Sequence, residues 1–121
     1  MRRGSLIEIL VNLLSNAIKY ADPRNKSEFA VTVRVRSTSD YITVTVEDRG
    51  VGIEERDCID VFKRGYRGSS IRKISVRGLG LGLYVARNIA KDFSGRLILD
   101  SRKDPTRFVL DIPRSLATKP I

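Results

Sequence analysis

The chain has 121 residues, 41% of them hydrophobic and 31% charged, which suits one compact domain with a single core. No apolar run reaches the roughly 20 residues of a membrane span, and Met1-Arg-Arg-Gly-Ser lacks the apolar stretch of a signal peptide. A single cysteine, Cys58, excludes an internal disulfide and a cysteine-cluster metal site. These features fit the cytoplasm. With 23 basic and 14 acidic side chains the net charge is +9, so the partners to weigh are nucleic acid, an anionic membrane face and a polyphosphate ligand. There is no histidine, which removes the commonest general base and many metal sites.

Leu6, Leu10, Leu13, Leu14, Ala17 and Ile18 recur at helical spacing. They predict a helix over 5–21, capped by Ser5 with Glu8 three residues on and ended by Asp22-Pro23. Residues 29–36 alternate, with Phe29, Val31, Val33 and Val35 on one face, and predict a strand. Tyr41 to Glu47 form a clearer one, and the two suggest a hairpin across Ser37–Asp40. A loop begins at Asp48-Arg-Gly-Val-Gly-Ile, and a short helix is expected over 54–63. Residues 64–78 are rich in glycine, serine and basic residues and read as a mobile loop. Overlapping it, Lys63, Arg64, Arg67, Arg72, Lys73 and Arg77 share one acid-free window. Leu79, Leu83, Ala86, Ala90 and Phe93 predict a second long helix, to about residue 92, with Gly95 as its C-terminal glycine. Residues 96–101 and 106–112 predict two more strands about a turn at Lys103–Pro105. Paired strands beside separate helices predict an α+β two-layer sandwich. The chain shows no internal repeat, so 1–121 reads as one domain with a frayed tail over about 114–121.

Three glycines precede the second helix in Gly78-Leu79-Gly80-Leu81-Gly82-Leu83. No G-x-x-x-x-G-K-[ST] phosphate loop is present. A G-x-G-x-x-G dinucleotide loop would need glycine at 83, where Leu83 stands, and a buried strand before it. The remaining reading is a helix N-terminus whose unpaired N–H groups meet a phosphate chain, with glycines admitting the close approach. Leu81 and Leu83 would pack beneath. The plainer alternative is a tight contact between helix and sheet.

On the first helix Glu8, Asn12, Asn16, Lys19 and Tyr20 share one face. Asparagine is a poor choice for a helix interior. This is either a solvated face or a set of carbonyl oxygens aimed at a cation. Magnesium takes oxygen ligands and is often shared with nucleotide phosphates, so one asparagine oxygen with phosphate oxygens is a plausible set, with Lys19 a charge near the phosphates. Asp48, at the end of its strand, can accept a hydrogen bond from the six-amino group of adenine, where guanine carries an acceptor. Its plain alternative is an Asp-x-Gly turn.

Taken together and in this order, these motifs resemble the catalytic and ATP-binding domain of sensor histidine kinases. That domain belongs to the superfamily of gyrase, the ninety-kilodalton heat-shock chaperone and MutL. Asn12-Leu-x-x-Asn16-Ala-x-Lys19-Tyr20 is similar to the asparagine box, and Asp48-x-Gly50-x-Gly52-Ile53 to the adenine-binding box. Val61-Phe62 and Tyr66-Arg67-Gly68-Ser69-Ser70 resemble the phenylalanine box and the start of an ATP lid, and Gly78 to Leu83 the second glycine box. The resemblance implies a Bergerat-type ATP-binding fold, a mixed sheet with helices on one face, and ATP and Mg2+ as cofactors. It implies that Asn16 holds magnesium, Asp48 the adenine amino group and Arg67 a phosphate. The backbone of Gly78, Leu79, Gly80, Leu81 and Gly82 would meet the phosphates, and Thr106 would lie near the adenine. The basic loop over 64–78 would be the lid, ordered by nucleotide.

Hydrolysing members and the serine-kinase anti-sigma factors resemble one another in a glutamate four residues before the magnesium asparagine, where it is the general base. Here that position is Asn12, the histidine-kinase form, and an amide takes no proton at neutral pH. Asn12 and Arg67 are therefore the candidate catalytic residues, Glu8 is a weaker base candidate, and ATP hydrolysis by this chain is expected to be negligible. Without a histidine of its own, the chain needs a phosphoacceptor on a separate dimerisation domain, with a response regulator downstream. The expectation is a monomeric domain that begins inside a larger homodimeric protein, cytoplasmic or membrane-anchored. Three departures stand out: Gly65 replaces a second phenylalanine, Pro105-Thr106 replaces Gly-Thr, and Phe93-Ser94-Gly95 replaces His-Gly-Gly. Other functions remain open: a regulatory ATP-binding module without transfer, an anti-sigma-like serine kinase, and a basic nucleic-acid-binding domain. Phosphorylation of a partner domain marks the first reading, and steep salt dependence with duplex DNA would mark the last.

Overall fold

The computed structural model describes residues 3–19, 30–63 and 82–114. In chain order these form helix α1 (Arg3–Lys19), strands β1 (Val31–Ser37) and β2 (Tyr41–Asp48), a 3-10 turn (Glu55–Asp57), helix α2 (Gly82–Asp92) and strands β3 (Arg96–Arg102) and β4 (Thr106–Pro113). The strands make one sheet in the order β1-β2-β4-β3, and each described pairing is antiparallel. Both helices lie on one face, α1 over β2 and α2 over β3, in the two-layer sandwich that the element pattern predicts.

The core forms where helical and strand periodicities meet. Ile9, Leu13 and Ala17 of α1 and Leu83, Ala86 and Ala90 of α2 are buried against Val44, Val46, Leu97, Phe108, Leu110 and Ile112 of the sheet. Alternate residues on β2 and β4 point to the opposite, open face. There Arg34, Glu47, Arg107 and Asp100 form a chain of ion pairs across all four strands, with contacts of 2.8–2.9 Å. Among the described residues no helix is long and apolar enough to cross a membrane.

Several local expectations are corrected. α1 starts two residues before the predicted position, so Ser5 lies inside the helix rather than capping it. Nothing in Arg3-Gly4 stops a helix, since one glycine costs only about 1 kcal/mol. The expected end at Asp22-Pro23 lies outside the described residues. The helix expected over 54–63 is instead a run of i→i+3 turns, from Asp57 N–H to Glu54 C=O at 2.9 Å through Lys63 N–H to Asp60 C=O at 2.9 Å. β1 alternates as expected, but Val33 and Val35 remain 46% and 66% exposed because this edge strand lies beyond both helices. Ile7, Val11 and Ile18, on the flank of α1 away from its buried stripe, are exposed as well.

The end of α2 is a Schellman motif. Gly95 N–H donates to Ala90 C=O at 2.8 Å and Ser94 N–H to Lys91 C=O at 3.0 Å. The left-handed residue is Ser94, at φ 61°, and not the expected Gly95. Gly95 has a different reason to be glycine: a Cβ there would lie 2.8 Å from the carbonyl oxygen of Asp111 and 2.7 Å from the ring of Phe93.

Candidate functional site

The last residues of the central strands build the floor of the site. Asp48 ends β2 and pairs with Thr106, the first residue of β4. Thr106 also pairs with Arg102, the last residue of β3. Residues paired across antiparallel strands share a face, so Asp48, Thr106 and Arg102 form a row on the helix-covered side. Asp48 is only 3% exposed and Thr106 2%. Asp48 Oδ1 accepts the Gly50 N–H at 2.9 Å. Among the described residues no further donor reaches its carboxylate and no cation pairs with it. Burial raises its pKa above the ordinary aspartate value, against the smaller opposing effect of the Gly50 bond. Glu47, one residue earlier and on the open face, is treated oppositely. The hydrogen bond from Arg107 holds its pKa down, with Arg34 and Arg49 adding to the effect.

The Asp48–Ile53 loop is docked on the turn between β3 and β4. Gly52 has φ 78°, and a Cβ on it would come within 2.9 Å of Lys103 Cγ and 3.2 Å of the Arg102 carbonyl oxygen. Ile53 N–H donates to Arg102 C=O at 2.8 Å, while Arg102 Nη1 donates back to Ile53 C=O at 3.2 Å. Thr106 Oγ1 donates to the same Arg102 carbonyl at 3.1 Å, which leaves the threonine lone pairs to accept. Ser101 Oγ closes the turn by donating to Pro105 C=O at 2.6 Å. Thus Pro105 in place of glycine leaves Thr106 buried and paired with Asp48.

The other wall comes from the two helices. Asn12 lies beside the first residue of α2, its Oδ1 3.5 Å from where a Cβ of Gly82 would be. Asn16, one turn on, shares its flank and is half-buried, as is Lys19 in the last turn of α1. Phe62 leads toward residue 64 and is held on two sides. Arg87 of α2 lies 4.5 Å from its ring centroid, and the Phe108 ring meets it edge-on at 5.9 Å. Phe62 thus has two neighbours fixing it although Gly65 replaces the second phenylalanine.

Of the candidate residues, Asn12, Asn16, Lys19, Asp48, Gly50, Gly52, Ile53, Gly82, Leu83 and Thr106 are described. Ile53 and Leu83 are core side chains, so only their backbone can serve a ligand. Tyr20, Arg67, Gly78, Leu79, Gly80 and Leu81, and the loop 64–78, lie outside the described residues. Arg102, Ser101 and Arg87 carry contacts here that motif reading missed. No sequence signal marks Arg102, whose face depends on the bulge at Asp100. A hollow of about 100 Å³ at the strand ends is lined by Ala30, Thr32, Glu47, Asp48, Arg49 and Pro105.

An adenine amino group fits Asp48, whose second carboxylate oxygen meets no donor among the described residues. For a metal, no group of three or more Asp, Glu, His or Cys placed to hold an ion occurs among the described residues. Amide oxygens on the α1 flank suit a cation that shares its ligands with phosphate, as magnesium does.

Residues 2–116 match the family described as histidine kinase-, DNA gyrase B- and HSP90-like ATPases. The chain is 34% identical over 103 residues to the probable sensor kinase SilS of Salmonella typhimurium, covering 85% of this chain and 20% of that protein. It is 35% identical over 109 residues to the sensor-like histidine kinase SenX3 of Mycobacterium tuberculosis, covering 89% of this chain and 26% of that one. It therefore spans about a fifth to a quarter of the length of these relatives. Among solved structures, the mycobacterial sensor histidine kinase MprB superposes with a TM-score of 0.79 at 26% identity, covering 93% of this chain and 74% of that chain. The catalytic domain of the histidine kinase ThkA in a nucleotide-free form gives 0.73 at 22% identity, covering 93% and 69%, a likeness of fold.

Proposed function

The chain belongs to the histidine kinase-, DNA gyrase B- and HSP90-like ATPase family, and from that premise we propose that it binds Mg-ATP and passes the γ-phosphoryl group to a histidine on a separate phosphoacceptor domain of a two-component sensor kinase. The observation that carries this reading is Asp48. Among the described residues its buried carboxylate has one backbone donor, which leaves one oxygen to accept the adenine amino group. Of the described arginines two pair with Glu47 and none with its neighbour Asp48. A carboxylate buried in this way has the character of a ligand site rather than of a structural ion pair.

In this reading Gly50, Gly52 and the Ile53 backbone shape the loop beneath the base, and the Thr106 hydroxyl accepts beside it. Asn16 would hold Mg2+, with Asn12, Lys19 and Tyr20 along the same flank. Arg67 and the backbone of residues 78–83 would take the phosphates. Bound Mg-ATP supplies the phosphoryl group, with its charge neutralised by the metal. Asn12 cannot act as a base toward water, so the chain holds the nucleotide without hydrolysing it. The 1–121 unit acts as one cytoplasmic domain. Its partners would be a histidine-bearing dimerisation domain and, downstream, a response regulator. No role for nucleic acid is proposed.

Titration with Mg-ATP tests the site. Asn16→Ala should weaken binding only when magnesium is present, and Asp48→Ala should weaken it with or without the metal. If neither substitution changes affinity, the assignment is wrong. Transfer to an added phosphoacceptor domain, with negligible ATP turnover in its absence, tests the reaction. Rapid turnover by the chain alone would contradict it.

A further inference from the structure

The residue after Leu99 breaks the regularity of β3. Leu97 pairs with Leu110 and Leu99 with Phe108, but Ser101 then pairs with Arg107, so Asp100 is an extra residue bulged from the ladder. A bulge shifts the alternation of every residue beyond it. In an unbroken strand Arg102 would share the open face with Ile98 and Asp100. Past the bulge it shares the face of Thr106 and Asp48, beside the Asp48–Ile53 loop. The bulged Asp100 is itself held at 2.9 Å by Arg107, which pairs with Glu47 at 2.8 Å.

Arg102 in turn contacts two of the residues assigned to the nucleotide. Its carbonyl accepts from both Ile53 N–H and Thr106 Oγ1, and its guanidinium donates to Ile53 C=O. Arg102 thus holds both polar groups of the Ile53 backbone and the hydroxyl of Thr106. Gly52, at φ 78°, precedes Ile53 and lies under Lys103.

We propose that Arg102 is the positioning residue of the base subsite, brought to the site face by the Asp100 bulge to fix the Asp48–Ile53 loop against Thr106 at the spacing an adenine ring requires. This rests on the reading of Asp48 as the adenine acceptor. Arg102 acts through Ile53 and Thr106 and touches no reacting group. The backbone bonds survive truncation of its side chain, so Arg102→Ala loosens the loop without unfolding the domain.

The test uses the 121-residue chain as wild type, Arg102→Ala, Arg102→Lys and, as control, Arg96→Ala, an exposed arginine at the other end of β3. Without ligand, amide hydrogen exchange at Gly52 and Ile53 should quicken about tenfold in Arg102→Ala, while that of Leu97 and Leu110 stays unchanged. Mg-ATP should bind about fivefold more weakly, less than the roughly tenfold or more of a buried bond from a charged donor because Arg102 is exposed and acts indirectly, and inorganic triphosphate should bind as before. Arg102→Lys should recover part of the ATP affinity, and Arg96→Ala should match wild type. Unchanged exchange at Ile53, unchanged ATP affinity in Arg102→Ala, or equal weakening of ATP and triphosphate overturns the proposal. If the wild-type chain ignores ATP, the nucleotide reading fails, and Arg102 as a residue of the base subsite falls with it. The Ile53 exchange then shows separately whether Arg102 holds the loop.

Discussion

Asp48→Asn should stabilise the empty protein and impair it as a nucleotide binder. Asp48 is 3% exposed, and among the described residues it faces no cation and accepts one hydrogen bond, from Gly50 at 2.9 Å. Asparagine keeps that bond through its own Oδ1 and removes the buried charge. Relief of this kind is worth about 1 kcal/mol, and in a domain of this size raises Tm by about 4 °C. The sign follows from the pKa. Burial raises the folded value above the ordinary 3.8, so wild type is most disfavoured when the carboxylate is ionised in both folded and unfolded states. The advantage of the asparagine variant is therefore complete above the raised folded pKa and fades as pH falls through it. It is gone below 3.8, where both states are protonated. For the ligand the change is adverse. With Oδ1 occupied by Gly50, asparagine turns its NH2 toward the adenine amino group, donor against donor. The lost charge-assisted bond is worth about 1.5–3 kcal/mol, a roughly 10- to 150-fold rise in Kd. Calorimetric melting of the ligand-free pair at pH 7 and at acid pH, followed by Mg-ATP titration, checks both halves. A variant that melts no higher than wild type at pH 7, or binds ATP equally well, refutes the reasoning.

Gly52→Ala should cost more than the about 1–2 kcal/mol of left-handed backbone strain, because the facing Lys103 side chain can move but the Arg102 carbonyl oxygen, 3.2 Å from the added Cβ, is backbone; urea unfolding with unchanged m-value measures it. Ser94→Gly should gain about 0.5–1 kcal/mol by relieving φ 61° at the end of α2, seen as a higher urea midpoint. Gly95→Ala should lose about 1–3 kcal/mol, since its Cβ would meet the Asp111 carbonyl oxygen at 2.8 Å, and a small effect would show that the α2–β4 contact can part. The opposite signs at adjacent positions 94 and 95 make this pair a sharp check on the cap.

Where one physical signal dominated, the fold was legible. The period of α1 and α2 and the alternation of β2 and β4 marked the buried residues Ile9, Leu13, Ala86 and Ala90 and their partners in the sheet. The misses share a cause, competition that local pattern does not encode. Ser5 offered a cap, yet the helix runs through it. Residues 54–63 are expected to form a short helix, yet fold as i→i+3 turns. Gly95 was read as the left-handed position, yet that conformation falls on Ser94, because Gly95 is needed for its closeness to β4. In the candidate site, motif spacing pointed to Asp48, Asn12 and Gly82 and the family resemblance to Thr106, and the structure sets these along the floor and one wall. Arg102 was not legible, because its face depends on the bulge at Asp100, and a bulge changes register without changing composition.

The neighbouring acids Glu47 and Asp48 show how the sheet positions the site. They lie on opposite faces of one strand end, and their pKa values shift in opposite directions. Glu47 is clasped by Arg34 from β1 and Arg107 from β4, and Arg107 reaches on to Asp100 of β3. Arg34 is well exposed, so its pair adds at most about 1 kcal/mol, and this ladder is a weak source of stability. Its geometric effect is larger. It joins four strands at the level where β2 ends, and so restricts the backbone from which Asp48 projects to the other face. A carboxylate left without a cation must be held by its surroundings, since it would otherwise turn toward water. The ion pairs on the open face and the Gly50 bond on the covered face together provide that restraint, and they leave one oxygen of Asp48 for a ligand.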